Sequence, residues 1–254
     1  MPHFTLEGKT VLITGASSGI GRGIAIACAK AGATCVLVAR NEERLKAVAA
    51  ECGGSAAIER VDVANAEELA SLVERVPQLD GLVQCAGLSD KHTPLKFLKE
   101  EFVDLLFDVN VKAPILLLAM LEKRKKLSKG ASVVLMSSVA SFHSTPAHSL
   151  YSATKGALTA FARGAALDLS GKKIRVNTIA PGMVNTPLID FANISEEQRK
   201  ANEAFYPLKR YGEPDDIAGA AIYLLSDASQ WVTGQQFVID GGLTAGGGDW
   251  WFLI

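Results

Sequence analysis

Apolar residues along the chain fall into two alternating patterns. Short, nearly continuous runs occupy 10–14, 34–39, 56–61, 82–86, 132–137, 174–180 and 236–239. Between them lie longer stretches with apolar residues every three to four positions: 19–31, 41–51, 66–76, 100–127, 151–169 and 214–225. The short runs read as strands and the long stretches as helices. The strands are uniformly apolar rather than alternating, the mark of strands buried on both faces. Strand–helix alternation with short links predicts parallel pairing in a doubly wound α/β sheet of about seven strands flanked by helices. No linker rich in proline and glycine divides the chain, so 1–254 is read as one domain. The irregular stretch 181–211 mixes apolar and charged residues around an expected helix near 195–203. Loops this long usually act as lids, so about 183–211 is the expected substrate loop.

Composition narrows the class. A chain of 254 residues with 48% hydrophobic residues can bury a substantial core, which excludes wholesale disorder. The net charge of -1 argues against a nucleic-acid partner. The longest apolar run, 114–121, is too short for a membrane span. Glu7 and Lys9 follow Leu6 at once, so no secretory segment is read, and a cytoplasmic protein is expected. Cys28, Cys35, Cys52 and Cys85 form no CxxC pair, and His3, His92, His143 and His148 lack metal-ligand spacing. Reduced core thiols and no metal are expected.

Where the first strand meets the first helix, the chain reads Thr14-Gly15-Ala16-Ser17-Ser18-Gly19-Ile20-Gly21. Ligands of open α/β sheets bind at the carboxyl ends of the strands. Glycine lets a phosphate approach the backbone, and a helix beginning here directs free N–H groups and a positive dipole end at it. The competing reading is a tight turn with glycines chosen for packing. A dinucleotide site usually carries an acid at the end of the second strand for the ribose 2′-hydroxyl. Here that strand ends Val38-Ala39-Arg40. Arg40 suits a 2′-phosphate through its planar fork, which favours NADP(H). Asp62, closing the third strand, is placed either to reach the adenine or to cap a helix.

Tyr151 and Lys155 lie four apart on a helical stretch and share a face. A lysine charge beside a phenol favours the phenolate, and a phenol so tuned exchanges a proton with a substrate oxygen. Ser138, at the end of the fifth strand, offers a hydroxyl to the same crevice. Pro114 follows Asn110 by four residues. A continuous helix would deprive the Asn110 carbonyl of its donor, leaving it to a water, unless the helix kinks there.

With these motifs the chain resembles the short-chain dehydrogenase/reductases over nearly its full length. The glycine turn matches their TGxxxGxG. Ser138, Tyr151 and Lys155 match Ser-x12-Tyr-x3-Lys, and Asn110 matches the fourth catalytic residue. Pro181-Gly182-Met183-Val184-Asn185-Thr186 matches the PGxxxT segment beside the nicotinamide. The resemblance implies a Rossmann-type fold and hydride transfer to or from a ketone or secondary alcohol. Tyr151 would be the acid/base, Ser138 would orient the substrate oxygen, and Lys155 would lower the tyrosine pKa and hold the ribose. Asn110 would hold a relay water. The implied cofactor set is Gly15, Ser17, Ser18, Gly19, Ile20, Gly21, Arg40, Asp62, Val63, Ala86, Gly87, Tyr151, Lys155, Pro181, Gly182, Val184 and Thr186. The family's NNAG reads Gln84-Cys85-Ala86-Gly87 here, which puts local hydrogen bonding in question.

As a specific version of that carbonyl reductase, the resemblance implies a 3-oxoacyl-acyl-carrier-protein reductase. Alternatives are an NAD(P)-linked alcohol, sugar or steroid dehydrogenase, or a non-catalytic nucleotide sensor. A basic cluster (Lys123, Arg124, Lys125, Lys126 and Lys129, with Lys172 and Lys173) reads as a solvated helix end or as a docking patch for an acidic carrier protein. His143 and His148 read as substrate contacts or as loop residues. Beyond the glycines 246–248, the apolar tail 250–254 is expected to pack on a neighbouring subunit of a homotetramer.

Overall fold

The computed structural model describes residues 4–90, 92–188 and 195–246. Seven strands form one parallel sheet: β1 (Thr10–Thr14), β2 (Thr34–Ala39), β3 (Ala56–Arg60), β4 (Leu79–Gln84), β5 (Leu127–Met136), β6 (Arg175–Pro181) and β7 (Gln236–Ile239). Their order is β3-β2-β1-β4-β5-β6-β7. The order reverses between β1 and β4, and a crevice opens at their carboxyl ends.

Period-2 alternation divides the strands between two cores. Leu12, Val36, Val38, Leu82, Val133, Leu135 and Val176 face one side, packed with residues of α3 (Ala66–Arg75), α5 (Ala113–Lys123) and α6 (Ser149–Asp168). Val11, Ile13, Leu37, Val83, Val134 and Ile179 face the other, with α1 (Gly19–Lys30), α2 (Glu42–Glu51) and α8 (Pro214–Leu225). Both faces are covered, as uniformly apolar strands require. The edge strands depart from that expectation: β3 is half exposed and ends Glu59-Arg60. An edge needs only one buried face, and charge there discourages further pairing.

Other boundaries differ from the sequence reading. The expected helix over 100–127 is three elements: α4 (Glu100–Phe107), a π-helical turn (Asp108–Lys112) and α5. Pro114 has no N–H, and its ring crowds the Asn110 carbonyl. The hydrogen bonding slips by one residue, so that Ala113 N–H reaches the Asp108 carbonyl. The chain therefore widens at Asn110, neither continuing straight nor only kinking. β4 ends at Gln84, leaving Cys85, Ala86 and Gly87 in the loop. β5 begins at Leu127, five residues early, with a register irregularity between its pairs at Leu79 and Gly81. In the substrate segment, α7 (Glu196–Ala204) starts with a capping box between Ser195 and Gln198. The tail 250–254 lies outside the described residues.

Candidate active site

The glycine turn is shaped by steric necessity. Gly15 has φ +68°, and a Cβ there would stand 2.7 Å from the Ala86 nitrogen. A Cβ on Gly21 would stand 2.3 Å from the Gly15 carbonyl oxygen. Ser18 is the N-cap of α1, yet its side chain makes no capping bond, and the first turn carries no acid. Its first N–H groups thus face the crevice with a positive dipole end. Ile20 packs into the core beneath. Thr186 borders the turn, with its Cβ 3.1 Å from where a Gly19 Cβ would be. These residues fit a dinucleotide phosphate, because the close approaches and the unspent donors coincide.

Arg40 lies exposed just beyond β2, after the buried Ala39. Asp62 Oδ1 accepts from Ala64 N–H (3.0 Å), and Asp62 N–H donates to Glu68 (2.8 Å). Asn65, not Asp62, caps α3, so the helix-cap reading of Asp62 is set aside. Val63 is half-buried against the core. Pro181 ends β6, Gly182 N–H bonds the Ile239 carbonyl, and Val184 is buried beside Gly212.

Thr14 joins the strands at the reversal. Its hydroxyl accepts from Cys85 N–H (3.2 Å) and Ala86 N–H (3.3 Å). Gln84, the first departure from NNAG, is buried and donates to the Pro114 carbonyl at 2.9 Å. The local bonding in question is therefore rebuilt with a longer amide. Burial pushes the Cys85 thiol up to about 12, which makes it a poor nucleophile.

The structure brings Asn110, Ser138, Tyr151 and Lys155 together around Gly87. A Cβ on Gly87 would stand 3.3 Å from Asn110 Oδ1 and 3.5 Å from Lys155 Nζ. The Asn110 side chain is occupied: it accepts from Leu88 N–H (2.8 Å) and donates to the Leu88 carbonyl (2.9 Å) and to Thr154 (3.1 Å). It ties the β4 loop to α6. Lys155 Nζ donates to the Met136 carbonyl (2.9 Å) and lies 5.4 Å from the Tyr151 ring centroid. Tyr151 and Ser138 share a hydrogen bond, which favours the phenolate. Burial outweighs it and holds the phenol up at about 12, while burial pushes Lys155 down to about 8. The expectation that lysine charge depresses the phenol is thus not met by the protein's own groups: desolvation dominates.

Sequence reasoning missed Asp90. Its carboxylate is wholly buried and accepts from Tyr151 N–H (3.0 Å), capping the start of α6 from another loop. No local motif marks it, because the partners that place it at the site, His148 and Tyr151, are about sixty residues away. His148 lies against it, whereas His143 is exposed. The basic cluster is at the opposite end of the sheet. From Ser132, where β5 regains regular pairing with β4, to Ser138 is six residues of extended chain, about 20 Å, and Lys129 stands before that stretch. Much of the cluster is already engaged: Lys172 with Glu122, Arg124 with Glu74, and Lys126 with the carbonyls of Glu74 and Val76.

A family model described as enoyl-(acyl carrier protein) reductase matches residues 15–244. The chain belongs to the short-chain dehydrogenase/reductase family, and is an oxidoreductase of that class. It is 33% identical over 238 residues to the 3-oxoacyl-[acyl-carrier-protein] reductase of Rickettsia felis, covering 94% of this chain and 98% of that one. It is 35% identical over 250 residues to 2,5-dichloro-2,5-cyclohexadiene-1,4-diol dehydrogenase of Sphingobium indicum, with the same coverage. A protein from Beutenbergia cavernae, assigned as an NAD(P)-dependent gluconate 5-dehydrogenase and solved with NADP at low occupancy, superposes with a TM-score of 0.89. That pair is 30% identical over 96% of this chain and 99% of the other.

Proposed function

We propose that this chain is an NADP(H)-dependent reductase of a ketone to a secondary alcohol, acting through one catalytic domain over 1–254. The observation that carries the reading is the convergence of Ser138, Tyr151 and Lys155 at the carboxyl end of β5, opposite the glycine turn. Bound NADPH supplies the hydride. Ser138 and Tyr151 hold the substrate oxygen, and the Tyr151 hydroxyl gives it a proton. A phenol held near 12 is protonated at neutral pH, the state a reduction needs. Lys155 would hold the ribose, and the Asn110 carbonyl, which Pro114 four residues on cannot donate to, would hold a relay water.

Exposed Arg40 beside Ala39 supports NADP(H), through a charge-assisted contact to the 2′-phosphate. Wild type is expected to favour NADPH, and Arg40→Ala to erode the kcat/KM ratio of NADPH to NADH by roughly tenfold to a hundredfold, about 1.5–3 kcal/mol. Equal use of NADH by wild type overturns that assignment. Tyr151→Phe is expected to lower kcat by about 10²–10⁴ with little change in NADPH affinity. Near-normal turnover would sink the mechanism.

For the substrate, similarity to carrier-protein reductases supports a 3-oxoacyl thioester. The position of the basic cluster favours a second reading, a small hydroxylated ketone or alcohol. A carrier docked on that cluster would need an arm of at least about 20 Å to serve the same subunit. Assays with 3-oxoacyl-carrier protein and with hydroxyketones separate the two. We place the enzyme in the cytoplasm as a homotetramer. Among the described residues no helix is long and apolar enough to cross a membrane, and Leu105 and Phe107 of α4 expose an apolar face for a second copy. Light scattering before and after truncation at Gly248 tests the tail's part in assembly.

A further inference from the structure

Beside the acid/base residue lies a second group of polar side chains that the reduction does not use. Asp90 is 0% exposed. A buried carboxylate must be paired, and this one is met three times: by Tyr151 N–H, by His92 N–H at 3.3 Å, and by His148, whose Nδ1 is 2.5 Å from Oδ1. The His148 ring packs against two others. His92 stacks on it, with centroids 4.6 Å apart and an angle of 12°. The Tyr151 ring lies 4.7 Å away, tilted by 34°. Two non-glycine residues with positive φ deliver this group, His92 itself (55°) and Ala147 (61°), just before His148. For alanine that conformation costs about 1–2 kcal/mol, and such strain gathers where side chains must be aimed.

The chemistry of the imidazole follows from its partners. A carboxylate against Nδ1 fixes the ring proton there. Burial opposes a second proton and lowers the pKa of His148 below the ordinary histidine value, against the pull of Asp90. The ring is then neutral, with a lone pair on Nε2. Nδ1 is shut away from solvent and lies close to the carboxylate without meeting it in line, while the side chain keeps 15% exposure on the rest of its ring. An apolar residue would stack on Tyr151 as well without needing a buried acid beneath it.

We infer that His148 is a specificity-determining residue whose Nε2 accepts a hydrogen bond from a hydroxyl carried on the carbon next to the one reduced. Partners that each approach their own oxygen to about 2.8 Å, on rings 4.7 Å apart, suit oxygens on neighbouring carbons. A 3-oxoacyl thioester has no such donor and leaves the acceptor unmatched. The favoured substrates are hydroxyketones and, in reverse, vicinal diols. This rests on the ketone-reductase reading above and selects within it.

The test uses the full chain with NADPH and two probes, 3-hydroxy-2-butanone and 2-butanone. The quantity read is the ratio of their kcat/KM values, which is independent of the fraction of a variant that is folded. Two variants are compared with wild type: His148→Leu, which removes both nitrogens, and His148→Asn, which keeps a donor toward Asp90 but has no outer acceptor. Both are expected to lower the hydroxyketone-to-ketone ratio about tenfold. An unchanged ratio in both overturns the inference and leaves His148 a packing residue. A ratio lost in His148→Leu but restored in His148→Asn overturns it in favour of positioning through Asp90. If wild type reduces neither ketone, the reductase reading falls first and takes this inference with it.

Discussion

At the carboxyl end of β1 the site is made of backbone. Gly15 and Gly21 leave no space for a Cβ, and the donors that face the crevice are N–H groups of a helix end. At the carboxyl ends of β4, β5 and β6 the site is made of side chains on loops. Leu95, Phe97, Phe142, Leu188, Phe205 and Leu208 all stand exposed there. Backbone recognition suits a ligand common to many enzymes. Side chains on loops can change without disturbing the sheet, and they set what the enzyme accepts. The likeness at 30–35% identity to proteins named for an acyl-carrier substrate, a chlorinated diol and gluconate is consistent with one shared half and one variable half.

The sharpest way to break this comparison is to put a side chain where the backbone half forbids one. Gly21→Ala places a methyl 2.3 Å from the Gly15 carbonyl oxygen, against backbone that has nowhere to go. Overpacking of this kind costs about 1–3 kcal/mol or more. The turn must open, so NADPH affinity is expected to fall at least about tenfold along with the melting temperature. A fluorescence titration and a thermal melt check both. Unchanged affinity would mean that the turn is a packing device and that the phosphate binds elsewhere.

The same division explains what the sequence made legible. The glycine turn, Arg40 and the Ser138–Tyr151–Lys155 spacing are local signals, because each depends on a strand end or one helix face. The seven strands were readable because seven apolar runs and the six helical stretches between them repeat one pattern. The break at Asn110 was half readable: Pro114 announced a missing donor, but whether the chain kinks or widens depends on how α4 and α5 pack. Asp90 and Glu68 act on residues distant in sequence or through backbone atoms, so composition and spacing carried no trace of them, and the motif that begins at Thr14 did not show its hydroxyl holding the β4 loop. The basic cluster left its two readings open because a charge run does not say at which end of a sheet it will stand.

Lys155 joins the two halves and gives a smaller effect. Burial holds it at about 8, below the ordinary lysine value of about 10.4. Between those values the unfolded chain binds more protons than the folded one, so stability rises with pH across that window. Tyr151, Cys35 and Cys85 are all raised to about 12 and work the other way once their unfolded forms ionise. Comparing wild type with Lys155→Met removes their contribution. Relative to the variant, wild type is expected to gain about 2 kcal/mol between pH 8 and 9.5, read from denaturant midpoints. Near pH 7 the inactive variant is expected to be the more stable protein. Parallel pH dependences in the two proteins would show that Lys155 keeps an ordinary pKa.

The smallest effect tests whether Gln84 belongs to the architecture or to binding. Its amide lies at the end of β4, one residue before the loop that meets Gly15, and donates to the Pro114 carbonyl in the first turn of α5. Gln84→Leu keeps the volume and removes the donor. The Pro114 carbonyl retains its place in the helix, so the loss is one buried hydrogen bond, about 0.5–1.5 kcal/mol, partly offset by the added apolar surface. The denaturant midpoint should fall slightly with an unchanged slope. NADPH affinity should stay as it is, because Thr14, not Gln84, holds the Cys85 and Ala86 N–H groups in place. If Gln84→Leu weakens NADPH as Gly21→Ala is expected to, the backbone half extends through β4 into α5, and the longer amide in the family's asparagine position is part of how this chain holds its cofactor.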